Sequence, residues 1–214
     1  MTRARTTALA ASLGLATVCW FVSVSRMSGM DMGVETDLGS FPFFAALWVP
    51  MMAAMMLPSA APAVLRRARA AGRAGAALLF AGSYLAVWAA VGLGVYALYR
   101  PHGTLAAGAL TVAAGLYQLT PLERECRRRC REDVRSGLRY GVLCVGSSIG
   151  LMVMLLALGA MSVGWMAIVA ALVLSQKLVS PRASVDVPLA LAIVALGVVV
   201  ATEPSAIPGL TPAM

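Results

Sequence analysis

Long apolar runs, separated by short polar or basic segments, are the dominant pattern of this chain. A helix needs roughly 20 apolar residues to cross a bilayer core of about 30 Å, and seven runs approach or exceed that length: 7–25, 43–62, 76–99, 104–120, 140–159, 161–179 and 187–202. The runs lack the period-2 alternation of transmembrane β-strands. Since backbone polar groups in lipid must be satisfied within the segment, the pattern predicts an all-α, polytopic transmembrane helix bundle of about seven helices. We expect a single integral membrane domain over 1–214.

The basic residues are distributed unevenly between the connecting segments. With the N-terminus placed inside, only Arg26 and Arg100 of the 17 Lys and Arg residues fall on the outer side. Cytoplasmic loops carry the excess of Lys and Arg, so we predict that the N-terminus lies inside and the C-terminus outside. The formal net charge of +8 then indicates contact with anionic lipid rather than with nucleic acid. A hydrophobic content of 60% excludes an ordinary soluble domain.

The second run, 43–62, contains a methionine-rich face. At 100° per residue, one side of a helix in this run carries four thioethers, an indole and a hydroxyl, from Met51, Met52, Met55, Met56, Trp48 and Ser59. The opposite side is expected to face lipid and includes Val49, Ala53, Ala54 and Leu57. Thioethers are soft donors that suit Cu(I), so the four methionines form the first candidate metal site. Adaptable apolar packing of methionine is the alternative.

Two further groups of soft donors lie in the connecting segments. The outer loop carries Met27, Met30 and Met32, which we interpret as an outer capture site for copper. The inner segment carries Cys126 and Cys130, which a helix would place on one face within reach of one metal. A reducing cytoplasm disfavours a disulfide there, and the neighbouring arginines favour the thiolate. The hairpin of the fifth and sixth runs adds the candidates Met152, Met154, Met161 and Met166.

Catalytic chemistry has little support in the sequence. Gly146-Ser147-Ser148-Ile149-Gly150 matches the G-x-S-x-G pattern but lies within a predicted helix, whereas that motif requires a strand-to-helix turn. The only histidine, His102, is predicted on the opposite side from both inner cysteines, which disfavours a Cys–His pair. The runs carry no Asp, Glu, Lys or His near their centres, which disfavours a proton-coupled pump. We therefore expect a binding protein rather than an enzyme.

Several separated motifs resemble one family. They are Trp48-x-x-Met51 with Ala54-Met55-Met56-x-Pro58-Ser59, Tyr117-Gln118-x-Thr120-Pro121-Leu122, Cys126-x-x-x-Cys130-Arg131, Cys144, Met152 and Gly159-x-Met161-x-x-x-Trp165-Met166. Over residues 43–200 the chain is similar to the DUF2182 family, described as predicted metal-binding integral membrane proteins of bacteria. The resemblance implies a multi-pass protein of the bacterial plasma membrane and adds Cys144 to the candidate ligands. A Cys-rich segment of that family is reduced here to Cys144, and Gln176-Lys177 stands where a Glu-Lys pair is expected.

Together these patterns predict a membrane protein that binds a soft transition metal, with copper as the preferred candidate, for metal handling or delivery to a partner. The candidate ligands are Met51, Met52, Met55, Met56, Met27, Met30, Met32, Cys126, Cys130, Cys144, Met152 and Met161. The predicted partners are the lipid bilayer and a metal-receiving protein. The competing function is a non-metal scaffold or accessory subunit of a membrane enzyme or transporter complex, in which the methionines only pack.

Overall fold

Helices form the regular secondary structure of the part of the chain that the structure describes. The computed structural model describes residues 2–27, 38–132, 135–159, 162–179 and 183–206. These ranges contain eight α-helices and one 3₁₀ turn, namely α1 Thr2–Met27, α2 Phe41–Ala71, α3 Ala74–Leu98, α4 Thr104–Tyr117, α5 Pro121–Glu132, α6 Gly137–Gly159, α7 Val163–Leu178, α8 Ala183–Thr202 and the turn Pro204–Ala206. The predicted all-α fold class is confirmed. Each of the seven apolar runs forms a helix, and the basic inner segment forms an additional one, α5.

Five helices within the described residues are long and apolar enough to cross a membrane, namely α1 from Leu9 onward, α2, α3, α6 and α8. The apolar helices α4 and α7 have 14 and 16 residues, fewer than the roughly 20 that a span requires. Helices α4 and α5 meet at a bend of 62° and would give a sixth span only if taken together as one broken helix. Five Arg and three Glu occupy α5, so we place it outside the membrane-spanning segments.

Helix α2 is the longest helix of the described residues and carries the methionine-rich face. It continues for 31 residues through Pro50, Pro58 and Pro62. The helix ends at Gly72, which has a φ of 65° and whose N–H donates to the carbonyl of Ala68 at 3.0 Å. Glycine adopts this left-handed conformation without the steric penalty of a Cβ. The turn at Gly72 thus separates α2 from α3.

The described chain divides into two compact units. The first unit contains α1 as far as Arg26, α2 and α3, together with the segment Arg128–Val145. The second contains Met27, Tyr99–Arg127, the end of α6, α7 and α8. The boundary falls inside α5, between Arg127 and Arg128, and inside α6, between Val145 and Gly146. The single membrane domain expected over 1–214 stays a prediction.

In the first unit, glycines allow close packing of helices. The Trp48 indole of α2 packs over Gly92 of α3, where an added Cβ would overlap the indole ring. The beginning of α6 packs equally closely on α3, because a Cβ at Gly137 would overlap the backbone carbonyl of Phe80. Small residues at such positions let two helix backbones approach each other in a membrane protein.

In the second unit, α4 packs along α8. A Cβ at Gly108 would lie 2.6 Å from the carbonyl oxygen of Gly197, and a Cβ at Gly197 would lie 2.6 Å from the backbone nitrogen of Val112. At Gly115, a Cβ would lie 2.9 Å from the carbonyl oxygen of Ala190. These distances are too short for any larger residue, so the α4–α8 contact depends on glycine at these positions.

Candidate functional site

The methionine-rich face of α2 is fully buried. Met51, Met52, Met55 and Met56 are each at most 2% exposed. The two polar side chains predicted on the same face, Trp48 and Ser59, both donate to backbone carbonyls. The Trp48 indole N–H donates to the carbonyl of Trp88 at 2.9 Å, and the Ser59 hydroxyl donates to the carbonyl of Met56 at 2.8 Å. The indole and the hydroxyl are therefore already hydrogen-bonded. The thioether sulfurs remain as the candidate metal donors on this face of α2.

The opposite side of α2 is also buried, which corrects the expectation that it faces lipid. Ala53, Ala54 and Leu57 are nearly inaccessible, and only Val49, at 46% exposed, fits the expectation. The physical reason is size, because short alanine side chains permit close helix packing on that side as well. The segment 51–57 is thus enclosed on all sides.

A buried tyrosine connects the methionine-rich helix to a thiol. The Tyr84 hydroxyl of α3 lies 3.2 Å from Cys144 Sγ of α6 and donates to the carbonyl of Met56 at 3.5 Å. Tyr84, Cys144 and Met56 are all completely inaccessible. All three belong to the first unit. A thiol therefore lies beside the turn of α2 that carries Met56.

Sequence reasoning missed Tyr84. The available signal was a phenol in the middle of an apolar run, since a buried tyrosine hydroxyl requires a hydrogen-bond partner. Cys144, which only the family resemblance proposed as a ligand, is the thiol that the structure places beside this hydroxyl.

Cys130 of α5 lies close to the turn of α6 that carries Cys144. The Cys130 Sγ is 3.9 Å from the carbonyl oxygen of Tyr140, and in an α-helix that carbonyl accepts the N–H of Cys144. The Tyr140 ring packs edge-on against the Tyr84 ring, with centroids 5.3 Å apart. Cys130 is buried and belongs to the first unit. Two thiols, two tyrosines and Met56 therefore form one continuous set of neighbours.

Cys126, one turn before Cys130 on α5, belongs to the second unit. Its Sγ is so close to Gly146 that a Cβ at that glycine would lie 2.7 Å away. The Tyr117 hydroxyl donates to the carbonyl of Gly146 at 2.6 Å. The predicted helical spacing of the two inner cysteines is observed, while a metal shared between them stays a prediction. All four cysteines lie within the described residues, and none forms a disulfide.

The remaining candidate ligands belong to the second unit or lie outside the described residues. Met27 ends α1 and is buried, and Met152 is buried in α6 within the second unit. Met30, Met32 and Met161 lie outside the described residues. Among the described residues there is no group of three or more His, Cys, Asp or Glu that could hold a metal.

A buried ionic cluster lies in the second unit. Arg127 pairs with Glu123 at 3.4 Å and with Asp186 of α8 at 2.5 Å, and all three side chains are buried. Neither carboxylate oxygen of Glu123 accepts a hydrogen bond from the described residues. Burial therefore raises the pKa of Glu123 to about 7, with Arg127 opposing the shift and Asp186 adding to it. Sequence reasoning missed this cluster, although Glu123 and Arg127 have the i, i+4 spacing of a helical ion pair.

Comparison with known proteins identifies the family. A family model described as PpoB2, copper chaperone, matches residues 45–200, well over half of the chain. The matched range contains the four methionines of α2 together with Tyr84, Cys130 and Cys144. No curated protein and no solved structure gives a significant match. The chain therefore belongs to the PpoB2 family of copper chaperones.

Proposed function

We propose that this chain is a multi-pass membrane protein that holds Cu(I) on buried sulfur donors of its first unit and passes the metal to a partner protein. Membership of a copper chaperone family supports the copper cargo. Five helices long and apolar enough to span a membrane support the membrane location. The resemblance to the DUF2182 family supports the bacterial plasma membrane.

The observation that carries the proposal is the position of Cys144 beside the methionine-rich turn of α2, with Tyr84 between them. Thioethers and thiolates are the protein donors that select Cu(I). Thioethers alone would leave a buried positive charge, which is costly in an apolar interior. A thiolate at Cys144 neutralises that charge, so the set of Met51, Met52, Met55, Met56 and Cys144 suits Cu(I) better than the methionines alone.

Tyr84 contributes to metal binding by positioning the thiol. A cysteine thiol must lose its proton before its sulfur binds a metal, whereas a thioether has no proton to lose. The Tyr84 hydroxyl donates its single hydrogen bond to the carbonyl of Met56, and once Cys144 is a thiolate it can instead donate that hydrogen bond to the sulfur. Such a charge-assisted hydrogen bond is stronger than a neutral one. Packing against the Tyr140 ring holds the Tyr84 ring in place. Tyr84 is therefore a positioning residue rather than a ligand.

Delivery requires a second set of donors that reaches the surface. Cys130 is buried in α5 and contacts the turn of α6 that carries Cys144, and Cys126, one turn away on α5, is partly exposed. We assign both cysteines to the inner acceptor, from which a partner protein takes the metal by ligand exchange at Cys126. Met27, Met30 and Met32 would serve as the outer capture site, and Met152 and Met161 as auxiliary donors.

The test compares copper content between matched pairs of Met-to-Leu variants in lipid nanodiscs. M51L/M55L and M52L/M56L change the proposed site. M154L/M166L is the control, because it changes two equally buried methionines of the second unit that the proposed ligand set does not include. Met-to-Leu conserves volume, so all three pairs should fold.

After anaerobic Cu(I) loading, mass spectrometry should find copper in the wild type and in M154L/M166L and less in both site variants. X-ray absorption should show sulfur ligands only. Equal copper in all proteins would remove the α2 site, and copper in none would favour the scaffold.

A further inference from the structure

A cavity of about 370 Å³ lies in the first unit, where the end of α2, the beginning of α3 and the beginning of α6 come together. Arg67 of α2, Arg73 of the α2–α3 turn and Arg135 before α6 all line it. Arg67 is half-buried, and Arg73 and Arg135 are exposed. Among the described residues, no Asp or Glu lines the cavity. The described lining of the cavity therefore carries three positively charged side chains.

The beginning of α6 adds backbone donors to this positive surface. Ser136 and Gly137 line the cavity, and α6 begins at Gly137 and continues for 23 residues. The first turn of an α-helix presents backbone N–H groups and the positive end of the helix dipole, which together favour a bound anion. Gly137 is required for this placement, because a Cβ there would overlap the carbonyl of Phe80. Arginine binds phosphate oxygens in a two-pronged geometry, so a phosphate group fits this lining.

One wall of the same cavity is apolar. Leu79 of α3 lines the cavity and is 75% exposed, and Phe80 and Ala76 continue that wall. An exposed leucine next to arginines is typical of the boundary between the apolar core and the headgroup region of a membrane. A phosphate with an attached acyl chain can use both the polar lining and the apolar wall, whereas a free phosphate can use only the arginines and the backbone donors of α6. The apolar wall therefore favours a lipid over a soluble phosphate.

A second basic cavity of about 330 Å³ continues this surface. It shares Arg135 with the first and is also lined by Arg128, Arg129 and Arg139, with Glu132 as the acidic residue of its lining. Arg128 lies 3.7 Å from Glu132. The basic surface thus extends beyond the first cavity. Among the described residues, the first cavity combines arginines with an apolar wall and the second does not.

We propose that the cavity of Arg67, Arg73 and Arg135 binds the phosphate headgroup of an anionic phospholipid, with an acyl chain along Leu79. The predicted orientation places these arginines on the inner side, where anionic lipid is attracted to basic segments next to spanning helices. The inference rests on the membrane location proposed above and is independent of copper. Bound lipid would hold the ends of α2, α3 and α6 together at the inner surface.

The test is native mass spectrometry of the full chain in detergent with phosphatidylglycerol or phosphatidylcholine. R67Q/R73Q/R135Q removes the charges of the proposed lining, and R26Q/R69Q/R100Q removes the same number of charges from three exposed arginines outside the cavity. We expect the wild type and R26Q/R69Q/R100Q to retain phosphatidylglycerol in preference to phosphatidylcholine. The lining variant should bind phosphatidylglycerol roughly 10–100-fold more weakly, given that each basic residue near a surface contributes measurably to anionic lipid binding.

The source of the phosphate is decided by competition with glycerol 1-phosphate, which carries the headgroup chemistry without acyl chains. Displacement of phosphatidylglycerol only by an excess of the lipid itself supports the lipid site, and displacement by glycerol 1-phosphate at similar concentration overturns it. Unchanged retention in R67Q/R73Q/R135Q also overturns it. Circular dichroism of each variant checks the helical fold. Copper content of the same samples separates this inference from the chaperone function, because loss of copper with retained lipid selectivity would contradict only the latter.

Discussion

The Tyr84 hydroxyl lies 3.2 Å from Cys144 Sγ, and both side chains are completely buried in the first unit. The same hydroxyl donates to the carbonyl of Met56. This single phenol therefore satisfies two polar groups of neighbouring helices and fixes a thiol beside the methionine-rich turn. Its removal should affect both the stability of the unit and the environment of the candidate copper donors.

Tyr84→Phe deletes the hydroxyl and leaves the ring packing on Tyr140 in place. We expect the free energy of unfolding to fall by about 1–3 kcal/mol, because buried polar groups lose a hydrogen-bond partner. Thermal unfolding in detergent measures this change. Tyr96→Phe is the matched control, since the Tyr96 hydroxyl donates to the carbonyl of Gly39 at an exposed position. Equal destabilisation by the two variants would contradict the role assigned to Tyr84.

Gly92→Ala tests the close contact between α2 and α3. The new Cβ would overlap the Trp48 indole and displace its hydrogen bond to Trp88. Overpacking of this kind typically costs about 1–3 kcal/mol. Gly94→Ala, two residues away on the same helix, has no atom within 4 Å of its new Cβ. We therefore expect Gly94→Ala to be neutral or stabilising, because alanine favours helix over glycine by about 1 kcal/mol.

The comparison uses the melting temperatures of both glycine variants in one detergent. A drop for Gly92→Ala together with an unchanged or higher value for Gly94→Ala is the expected pattern. Equal melting temperatures would mean that the indole moves aside freely, so that the Trp48–Trp88 hydrogen bond does not hold the two helices together.

The helices were largely predictable from the sequence because apolar length is a direct physical requirement of the bilayer. Each of the seven predicted runs is helical, but α4 and α7 are shorter than a span. Their runs were predicted too long for different reasons. The 104–120 run includes Thr120 and the turn before Pro121, and the 161–179 run begins before the helix does at Val163. Apolar composition does not report where a helix ends.

The candidate site was predictable only in part. The methionine face of α2 follows from helical periodicity, and the structure encloses it. The contacts of Tyr84 with Cys144 and of Cys130 with Tyr140 join residues distant in sequence. No periodic pattern encodes such pairs, because they depend on which helices pack together. The burial of Ala53 and Ala54 was mispredicted for the same reason, since a small apolar residue fits lipid and helix packing equally well.

Glu123→Gln should change how stability depends on pH. Burial raises the pKa of Glu123 from 4.5 to about 7, so the folded protein keeps this proton while the unfolded chain loses it. The contribution of Glu123 to the free energy of unfolding is therefore fully present below about pH 4.5. It declines as the pH rises towards 7 and is lost above that pH. Glutamine cannot ionise, so the variant should lack this decline.

The measurement is the melting temperature of the wild type and Glu123→Gln at several values across that pH range. Glu132→Gln is the control, because Glu132 lies on the same helix but is exposed and pairs with the exposed Arg128. The stability of Glu123→Gln relative to the wild type should rise with pH, and that of Glu132→Gln should follow the wild type. Parallel curves for all three proteins would show that Glu123 ionises normally.

Cys144→Ser tests whether the buried thiol belongs to the copper site. Serine conserves size but is a hard oxygen donor that suits Cu(I) poorly. If Cys144 is a ligand that neutralises the metal charge, the variant should bind Cu(I) at least roughly 10–100-fold more weakly, because loss of a ligand costs no less than loss of a group that only supports one. Competition against a chromophoric Cu(I) chelator measures the affinity. Cys19→Ser is the control, since Cys19 is the half-buried thiol of α1. An unchanged affinity in Cys144→Ser would leave the thioethers of α2 as the binding donors and place the neutralising charge elsewhere.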